Sequence, residues 1–237
     1  MYAFENTWHV IALIGAIVAA RVAVPYIASL RPHRAAVLEF IDSAMIAVLL
    51  VFCILRPFVI QAFFIPSGSM EPTLQQNDRI LVNKFIYYFR EPRVGDIVVF
   101  DAPPAALSDG KKKDFIKRVV GVAGDRIAVK DHRLYRNGAA VNESFIKEEP
   151  FYEWPDGAAE GKEVTVPEGD LLVFGDNRND SNDGHHWHMQ LPDGTVEYRP
   201  FLPRPNVLGR AMVIFWPPGR AKILTTAPSH AELAGAH

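Results

Sequence analysis

Two long apolar segments, residues 8–30 and 41–60, occupy most of the first quarter of this 237-residue chain. Each segment approaches the roughly 20 residues that an α-helix needs to cross the hydrocarbon core of a bilayer. The first segment has no basic stretch in front of it, which separates it from a cleavable signal peptide. The sequence therefore predicts two transmembrane helices, with residues 1–64 as a membrane anchor ahead of a soluble domain.

A short basic link between the two segments predicts their orientation. Arg31 and Arg34 lie in this link, residues 31–40, and Arg21 precedes it. Because Lys and Arg are enriched in loops on the cytoplasmic side of a membrane, the link is expected in the cytoplasm. Residues 65–237 are then expected on the extracytoplasmic side.

The rest of the chain has the pattern of an antiparallel β domain, residues 65–216, followed by a C-terminal tail, residues 217–237. Short runs of β-branched and aromatic residues alternate with turn signals such as Asn137-Gly138. No helical periodicity longer than two turns follows residue 64, so an all-β fold is predicted. The expected strands are residues 80–82, 85–89, 94–100, 115–122, 126–129, 134–135, 164–166, 171–174 and 211–215.

Local composition predicts two surface segments, and the net charge and cysteine content bear on nucleic-acid binding and disulfide formation. Residues 102–114 are polar and residues 147–161 are rich in Glu, Pro and Gly, so both are predicted to be surface excursions. The net charge of −2 gives no electrostatic footprint for nucleic acid. The single cysteine, Cys53, cannot form an internal disulfide.

A Ser-Gly-Ser turn follows directly on the second apolar segment, where a membrane helix would emerge into water. Ser67 and Ser69 flank Gly68, between Pro66 and Pro72. Pro66 favours an extended residue before it, and Gly68 permits a tight backbone turn. Such a turn can present a hydroxyl beside backbone N–H groups, which suits a nucleophile for acyl transfer. An ordinary Ser/Gly/Pro surface turn has the same composition.

A serine nucleophile needs a base that removes its proton. The histidines of the soluble part are one possible source, and a Ser-His-Asp arrangement stays open. They lie in turns and loops rather than in apolar strands: His132, His185, His186 and His188.

Lys117 is the alternative base, because it interrupts the apolar run of residues 115–122. Alternation along a strand places Phe115, Lys117 and Val119 on one face. A lysine acts as a base when burial lowers its pKa. An edge-strand lysine or a structural ion pair explains the same residue. A dyad of Ser69 and Lys117 is the sharper hypothesis.

Four segments of the soluble part carry a specific pattern. They are Pro66-Ser67-Gly68-Ser69-Met70-Glu71-Pro72-Thr73-Leu74, Gly95-Asp96-Ile97-Val98-Val99-Phe100, Ile116-Lys117-Arg118-Val119-Val120-Gly121 with Gly124-Asp125, and Gly175-Asp176-Asn177-Arg178-Asn179-Asp180-Ser181. In this order, and behind two apolar segments, they resemble the conserved boxes of bacterial type I signal peptidases (leader peptidases), a family with a Ser/Lys dyad. The resemblance runs from the second apolar segment to about Val213.

The resemblance implies a role for several polar residues. Ser69 would be the nucleophile and Lys117 the general base. Ser67 would add its hydroxyl to the oxyanion hole beside the Ser69 backbone N–H, and Ser181 would orient the Lys117 amine. Structural support by ion pairing is implied for Asp176, Arg178 and Asp183.

The same resemblance implies an activity and a location. The expected activity is that of a membrane-bound serine endopeptidase that removes signal peptides from exported preproteins after small residues of the Ala-x-Ala type. Its fold would be a coiled, barrel-like antiparallel sheet behind two spans, in the bacterial cytoplasmic membrane with the catalytic domain outside. Signal peptides and membrane lipid are the expected partners, and neither a cofactor nor a metal is expected. Shallow substrate pockets would be lined by apolar residues that core packing explains equally well: Phe63, Ile65, Met70, Leu74, Phe115 and Ile116.

Two features depart from the pattern of this family. His185 stands where the family commonly has an arginine, so the ion pair expected for Asp183 depends on a histidine. Residues 188–205 form a stretch longer than in a minimal member, with no predicted role.

Two other classes of function stay open. One is a non-catalytic, membrane-anchored domain that binds extended peptides by strand addition. The other is a metal-binding protein, although the spacing of its ligands fits no compact helix-borne motif, and sensitivity to chelators would separate it from a serine peptidase. Its candidate ligands are His185, His186, His188, Asp176 and Asp183.

The basic link leads to a prediction about topology. We expect protease added to intact spheroplasts to digest residues 65–237 and to spare residues 31–40. Immunoblotting against a tag at each position measures this. Complete protection of the soluble domain, with digestion only after lysis, contradicts the predicted orientation.

Overall fold

The computed structural model describes residues 7–52, 60–107, 110–191 and 193–226. The chain divides into two compact units, with the boundary between Gln61 and Ala62. The first unit is helical, and the regular elements of the second are β-strands and short 3₁₀ turns.

Two helices form the first unit: α1 (Thr7–Ala23) and α2 (Arg34–Leu49). Pro25 and Pro32 lie between them, in short 3₁₀ turns at Val24–Tyr26 and Ala28–His33. Proline cannot donate the backbone hydrogen bond that a continuous helix requires, which accounts for the break.

The second helix starts seven residues earlier than predicted. The sequence analysis began this span at residue 41, whereas α2 begins at Arg34. Residues 34–40 contain neither Gly nor Pro and include Ala, Leu and Glu, so nothing in them prevents helix formation. Cys53 and the last part of the predicted second span lie outside the described residues.

Only part of this unit has the length of a membrane span. Within the described residues, one apolar helical stretch, Arg31–Phe52, is long enough to cross a bilayer, and Ile11–Tyr26 is a shorter one. A bidentate ion pair joins the two helices, with Arg21 Nε 2.5 Å and Nη2 3.1 Å from the two carboxylate oxygens of Asp42. Arg21 and Asp42, which lie inside the apolar segments, are therefore partners of opposite charge, as charges at membrane depth usually require.

The second unit contains one large sheet, one small sheet and a hairpin. The large sheet has the order β1-β2-β13-β3-β4-β9-β12, with β14 paired to β13. The small sheet has the order β7-β6-β5-β8, and the hairpin joins β10 to β11. The strands are β1 (Ile60–Phe64), β2 (Arg79–Asn83), β3 (Ile97–Asp101), β4 (Asp114–Val122), β5 (Arg126–Lys130), β6 (Arg133–Arg136), β7 (Ala139–Ala140), β8 (Val164–Thr165), β9 (Asp170–Phe174), β10 (His188–Gln190), β11 (Val196–Tyr198), β12 (Phe201–Pro203), β13 (Val207–Trp216) and β14 (Lys222–Ile223).

The predicted mainly antiparallel β architecture is confirmed, with three local differences. Residues 60–64 form β1 rather than the end of a membrane helix. The next residue, Ile65, donates its backbone N–H to the carbonyl of Asp78, so the extended chain continues past the strand. Residues 85–89 contain a 3₁₀ turn, because Asn83 Oδ1 accepts the backbone N–H groups of Phe85 and Ile86 and caps the turn. The stretch of unknown role, residues 188–205, forms the β10–β11 hairpin and β12.

Strand β4 connects the hydrophobic cores of the β unit. Ile116, Val119 and Val120 belong to three different clusters of buried residues, so both faces of this strand are covered. Burial on both faces explains why β4 reads as a nearly continuous apolar run. The polar side chains in the middle of this strand, Lys117 and Arg118, are consequently held away from water.

The pairing of β4 changes along its length. Its first half pairs with β3, from Asp114 opposite Asp101 to Arg118 opposite Ile97. Pairing with β9 starts only at Arg118, opposite Phe174. Within the described residues, residues 114–117 therefore have a neighbouring strand on one side alone.

Candidate active site

The Ser-Gly-Ser turn follows β1 and is anchored by buried residues on both sides. Ile65 donates its N–H to the carbonyl of Asp78 at 2.9 Å, and Leu74 donates to Met70 at 2.9 Å. Both Met70 and Leu74 are fully buried in the core. The turn that carries Ser69 is therefore held rigidly although Ser67 itself is exposed.

Lys117 reaches the Ser69 hydroxyl from β4. Its Nζ atom lies 2.7 Å from Ser69 Oγ, and only 4% of the residue is exposed. The predicted alternation holds, since the ring of Phe115 lies on the same side, 5.6 Å from Nζ. Strand β4 thus brings Lys117 within hydrogen-bond distance of Ser69, the other member of the predicted dyad.

Burial lowers the pKa of Lys117 from 10.5 to about 8, while the charges of Asp183 and Asp176 oppose this shift. Burial lowers a lysine pKa because an ammonium ion loses its hydration in an apolar environment. The sequence analysis expected the burial effect but not the opposing carboxylates. They come from a loop about 60 residues further along the chain, and no local pattern indicates their proximity.

This loop, residues 175–185, packs directly on the Ser-Gly-Ser turn, called the nucleophile turn after its predicted role. Asn177 donates its backbone N–H to the Ser69 carbonyl at 3.1 Å and its side-chain N–H to the Gly68 carbonyl at 3.1 Å. A methyl group added at Gly175 would lie 2.4 Å from the Ser69 carbonyl oxygen and 2.3 Å from Ser181 Oγ. The loop therefore fits the turn without space for even one additional carbon.

Asp176 ties the loop to β4. Arg118 binds both of its carboxylate oxygens, at 2.7 and 2.6 Å, and Thr73 donates to it at 2.5 Å. All of these atoms except the Thr73 hydroxyl belong to buried residues. The ion pair thus links three segments of the site: the residue next to Lys117, the nucleophile turn and the loop.

Arg178 and Asp183 also make ion pairs within or beside the loop. Arg178 binds the carboxylate of Glu143, with Nη1 at 2.9 Å from Oε2, and donates Nε to the Gly175 carbonyl at 3.0 Å. Asp183 lies 2.6 Å from the Nδ1 atom of His185. These contacts agree with a supporting role, and none of these charged groups lines the cleft at Ser69.

The two remaining serines are close to the dyad. Ser67 Oγ lies 3.5 Å from Ser69 Oγ, on the open side of the turn. Ser181 is buried, and its hydroxyl makes no hydrogen bond of ordinary geometry. It is near enough to Asp183 to contribute to lowering the pKa of that carboxyl, after the larger effects of burial, which raises it, and of His185. The expected contact from Ser181 to Lys117 is absent among the described hydrogen bonds.

A cleft of about 400 Å³ opens beside the dyad. Its walls are the turn of residues 66–69 and the first half of β4, residues 113–117, with Asp180 and Asn182 at one side. Of the six apolar residues considered as pocket walls, Phe115 and Ile116 line this cleft. The other four are buried in the core, where they support the turn: Phe63, Ile65, Met70 and Leu74.

The histidines that were considered as bases lie away from Ser69 or point elsewhere. His132 contacts the Pro150 carbonyl, His186 that of Ser181, and His188 that of His186. Within the part of the chain that the structure describes, no group of three or more His, Cys, Asp or Glu residues is arranged to hold a metal ion.

The chain is similar to several known proteins. Residues 37–216 match the family described as signal peptidase, peptidase S26. The probable signal peptidase I-2 of Synechocystis sp. is 41% identical over 188 residues, which cover 79% of this chain and 77% of that protein. Signal peptidase I of Leptolyngbya laminosa is 41% identical over 179 residues, covering 74% and 78%. A crystal structure of a signal peptidase I from Enterococcus faecalis superposes with a TM-score of 0.37 and 25% identity, covering 51% of this chain and 97% of that one.

The tight contact at Gly175 gives a prediction about stability. Gly175→Ala should lower the free energy of unfolding by about 1–3 kcal/mol, because the new methyl group must displace Ser181 or the Ser69 backbone. Urea denaturation of the detergent-solubilised protein measures this. Gly219→Ala is the matched control, since a methyl group there meets no atom within 4 Å. Equal stability of the two variants would show that the loop is not packed against the turn as described.

Proposed function

The chain belongs to the signal peptidase family, peptidase S26, and from this premise we propose that it is a membrane-anchored endopeptidase that removes signal peptides from exported preproteins with Ser69 and Lys117. Membership of a peptidase family makes the chain a hydrolase. The observation that carries the proposed mechanism is the 2.7 Å distance between Lys117 Nζ and Ser69 Oγ, together with the burial of Lys117.

The first step of the proposed mechanism is acylation. The neutral Lys117 amine accepts the proton of the Ser69 hydroxyl as Oγ attacks the scissile carbonyl carbon. The negative oxygen of the tetrahedral intermediate is stabilised by the Ser69 backbone N–H and the Ser67 hydroxyl. The Lys117 ammonium then donates its proton to the leaving amine, which becomes the new N-terminus of the mature protein.

Deacylation uses the same groups in the opposite direction. A water molecule replaces the departed amine, Lys117 removes its proton, and the resulting hydroxide attacks the ester carbonyl. The tetrahedral intermediate collapses and Ser69 recovers its proton from Lys117, which is again neutral. One lysine therefore serves as base and acid in turn, which requires a pKa near the working pH.

The open edge of β4 supports the binding of an extended substrate. Residues 114–117 pair with β3 on one side, and their other side borders the cleft that contains Ser69. An extended peptide that adds to this edge satisfies backbone groups of β4 and places a carbonyl beside Oγ. Side chains at alternate positions of such a peptide then face the cleft wall.

The apolar wall of the cleft supports a preference for small side chains. Phe115 and Ile116 line it, and the residues behind them are tightly packed in the core. The apolar surface that these two residues present favours aliphatic groups over charged ones, because a charged side chain loses hydration there. We therefore assign cleavage after small residues, of the Ala-x-Ala type, to this site.

The helical unit supports a membrane location. Helix α2 lies in an apolar stretch long enough to cross a bilayer, and α1 is a shorter apolar helix. The proposed anchor has two spans, with the β unit on the extracytoplasmic side of the cytoplasmic membrane. This position brings the enzyme to preproteins as they emerge during export. A peptide-binding domain without catalysis would need neither a buried lysine nor its contact with Ser69.

The assignment of the nucleophile predicts the effect of one hydroxyl. Ser69→Ala should lower kcat for a synthetic signal-peptide substrate by more than about 10³-fold, because the other hydroxyl of the cleft, that of Ser67, makes no contact with Lys117 among the described hydrogen bonds. Mass spectrometry of the products in detergent measures cleavage. Ser144→Ala, at an exposed serine far from the cleft, should retain wild-type turnover. Substantial cleavage by the Ser69→Ala protein rules out the serine mechanism.

The lowered pKa of Lys117 predicts the pH dependence of activity. Below the pKa of about 8 the amine carries a proton and cannot act as a base, so kcat/KM should rise with pH and level off above that value. Lys117→Arg should be inactive, because arginine stays protonated in this range. Lys130→Arg, on β5, is the matched control and should behave as the wild type. Retention of activity in Lys117→Arg would mean that position 117 serves as an ion-pair partner and not as a base.

A further inference from the structure

A second cavity, of about 100 Å³, lies between β4 and the β6–β7 hairpin of the small sheet. It borders β4 at residues 118–120, whereas the cleft beside Ser69 borders residues 113–117. Consecutive side chains of a strand point to opposite faces, so the side chain of Arg118 points away from that of Lys117. The cavity and the cleft therefore share a strand, but no residue belongs to both walls.

The buried side of this cavity is apolar. Val120 and Leu134 form part of it, and each is only 2% exposed. Phe145 also lines it, with its ring centroid 4.0 Å from the guanidinium carbon of Arg118. Protein interiors contain few voids larger than a water molecule, and an apolar void of roughly 150 Å³ can bind benzene. The cavity is therefore of a size that takes one small aromatic ring.

Arg136 is the accessible charged residue in the described wall of the cavity. The other two, Arg118 and Glu143, are buried, and each forms an ion pair with the loop of residues 175–185. The side chain of Arg136 is 24% exposed, and its Nε atom lies 3.4 Å from Asp125 Oδ1. This distance exceeds the roughly 2.7–2.9 Å of a close charge-assisted hydrogen bond.

Asp125 is held by other donors. Its Oδ1 atom accepts a side-chain N–H of Asn137 at 2.8 Å, and its Oδ2 atom accepts the backbone N–H of Val122 at 3.1 Å. Arg136 therefore makes a long contact with a carboxylate that is already hydrogen-bonded. Its guanidinium keeps N–H donors for a further anion.

The β6–β7 hairpin forms the entrance of the cavity. Arg136 pairs directly with Ala139 across the hairpin, so their side chains lie on one face, and Leu134 lies on the same face two residues earlier. Ala139 is exposed, and its single methyl group leaves space beside Arg136. The next residue, Ala140, lines a different groove. One face of the hairpin thus supplies both an apolar end and a cationic entrance.

We propose that this cavity binds a small aromatic carboxylic acid, such as benzoate, with the ring at Val120 and Leu134 and the carboxylate on Arg136. A ring that leaves water for the apolar end gains hydrophobic stabilisation. A carboxylate matches the parallel N–H donors of a guanidinium, whereas an ammonium group is repelled by it. Because Arg118 forms part of the wall, the ligand lies beside the residue next to Lys117 without entering the cleft.

The test is a saturation-transfer NMR titration of sodium benzoate against the full-length protein in a non-ionic detergent, with protein-free micelles as the background. Benzyl alcohol and benzylamine are the neutral and cationic analogues. Ala139→Leu places a larger apolar group at the entrance, and Arg136→Gln removes the charge. Ala140→Leu is the matched control, because the same change on the opposite face of β7 leaves the cavity open.

We expect benzoate to bind saturably and at least about tenfold more tightly than benzylamine, since hydrogen bonds to a charged group are stronger than neutral ones. Arg136→Gln should weaken the binding of benzoate about tenfold and change that of benzyl alcohol little. Ala139→Leu should abolish the binding of both, whereas Ala140→Leu should bind as the wild type does. Saturating benzoate should leave KM for a synthetic signal-peptide substrate unchanged, because the cavity and the cleft share no wall residue.

A titration without a saturable signal above the micelle background overturns the proposal, and so does equal binding of benzoate and benzylamine. Undiminished binding in Ala139→Leu shows that the ligand lies elsewhere, and a rise in KM with benzoate places it in the cleft; either result refutes the assigned site. If near-UV circular dichroism shows that Ala139→Leu does not fold, Arg136→Gln decides. An unchanged benzoate affinity in that variant refutes the site, and a tenfold loss supports it.

Discussion

The burial of the Lys117 amine beside the Ser69 hydroxyl is the interaction on which the rest of the site depends. A lysine in water is protonated at neutral pH and cannot act as a base. Here β4 passes between three hydrophobic clusters, and the lysine on it is almost completely removed from water. The apolar core therefore has a chemical consequence as well as a structural one, because it lowers the pKa of Lys117 to about 8.

A buried amine also needs a defined position relative to the Ser69 hydroxyl. The loop of residues 175–185 helps to fix this position. Asn177 and Gly175 hold the backbone of the nucleophile turn, while Asp176 binds the arginine next to Lys117. The buried carboxylates raise the pKa of the lysine slightly, so the same loop that positions the dyad also limits how far burial lowers that pKa. Position and basicity are consequently coupled, and a change in the loop is expected to alter both.

The edge of β4 beside Ser69 is the third feature of the site. Strand β9 pairs with β4 only from Arg118 onward, so in the part of the chain that the structure describes, the first half of β4 has an unpaired edge beside Ser69. Edge strands are usually protected because they pair with other chains. The proposed binding of an extended peptide would use this edge, because such a peptide can pair with an unprotected strand.

The sequence by itself determined the features that depend on local pattern: the apolar helices, the antiparallel β class, and Lys117 as an apolar-strand lysine that pairs with the serine of a Ser-Gly-Ser turn. Residue periodicity and turn residues carry this information directly. Only the tertiary structure decided that residues 60–64 form a strand, that Met70 and Leu74 are core residues, and that the charges of Asp176 and Asp183 act on Lys117. The reason is physical: burial and charge–charge interactions depend on distances between segments far apart in the chain, and these distances are set by sheet order and packing rather than by neighbouring residues.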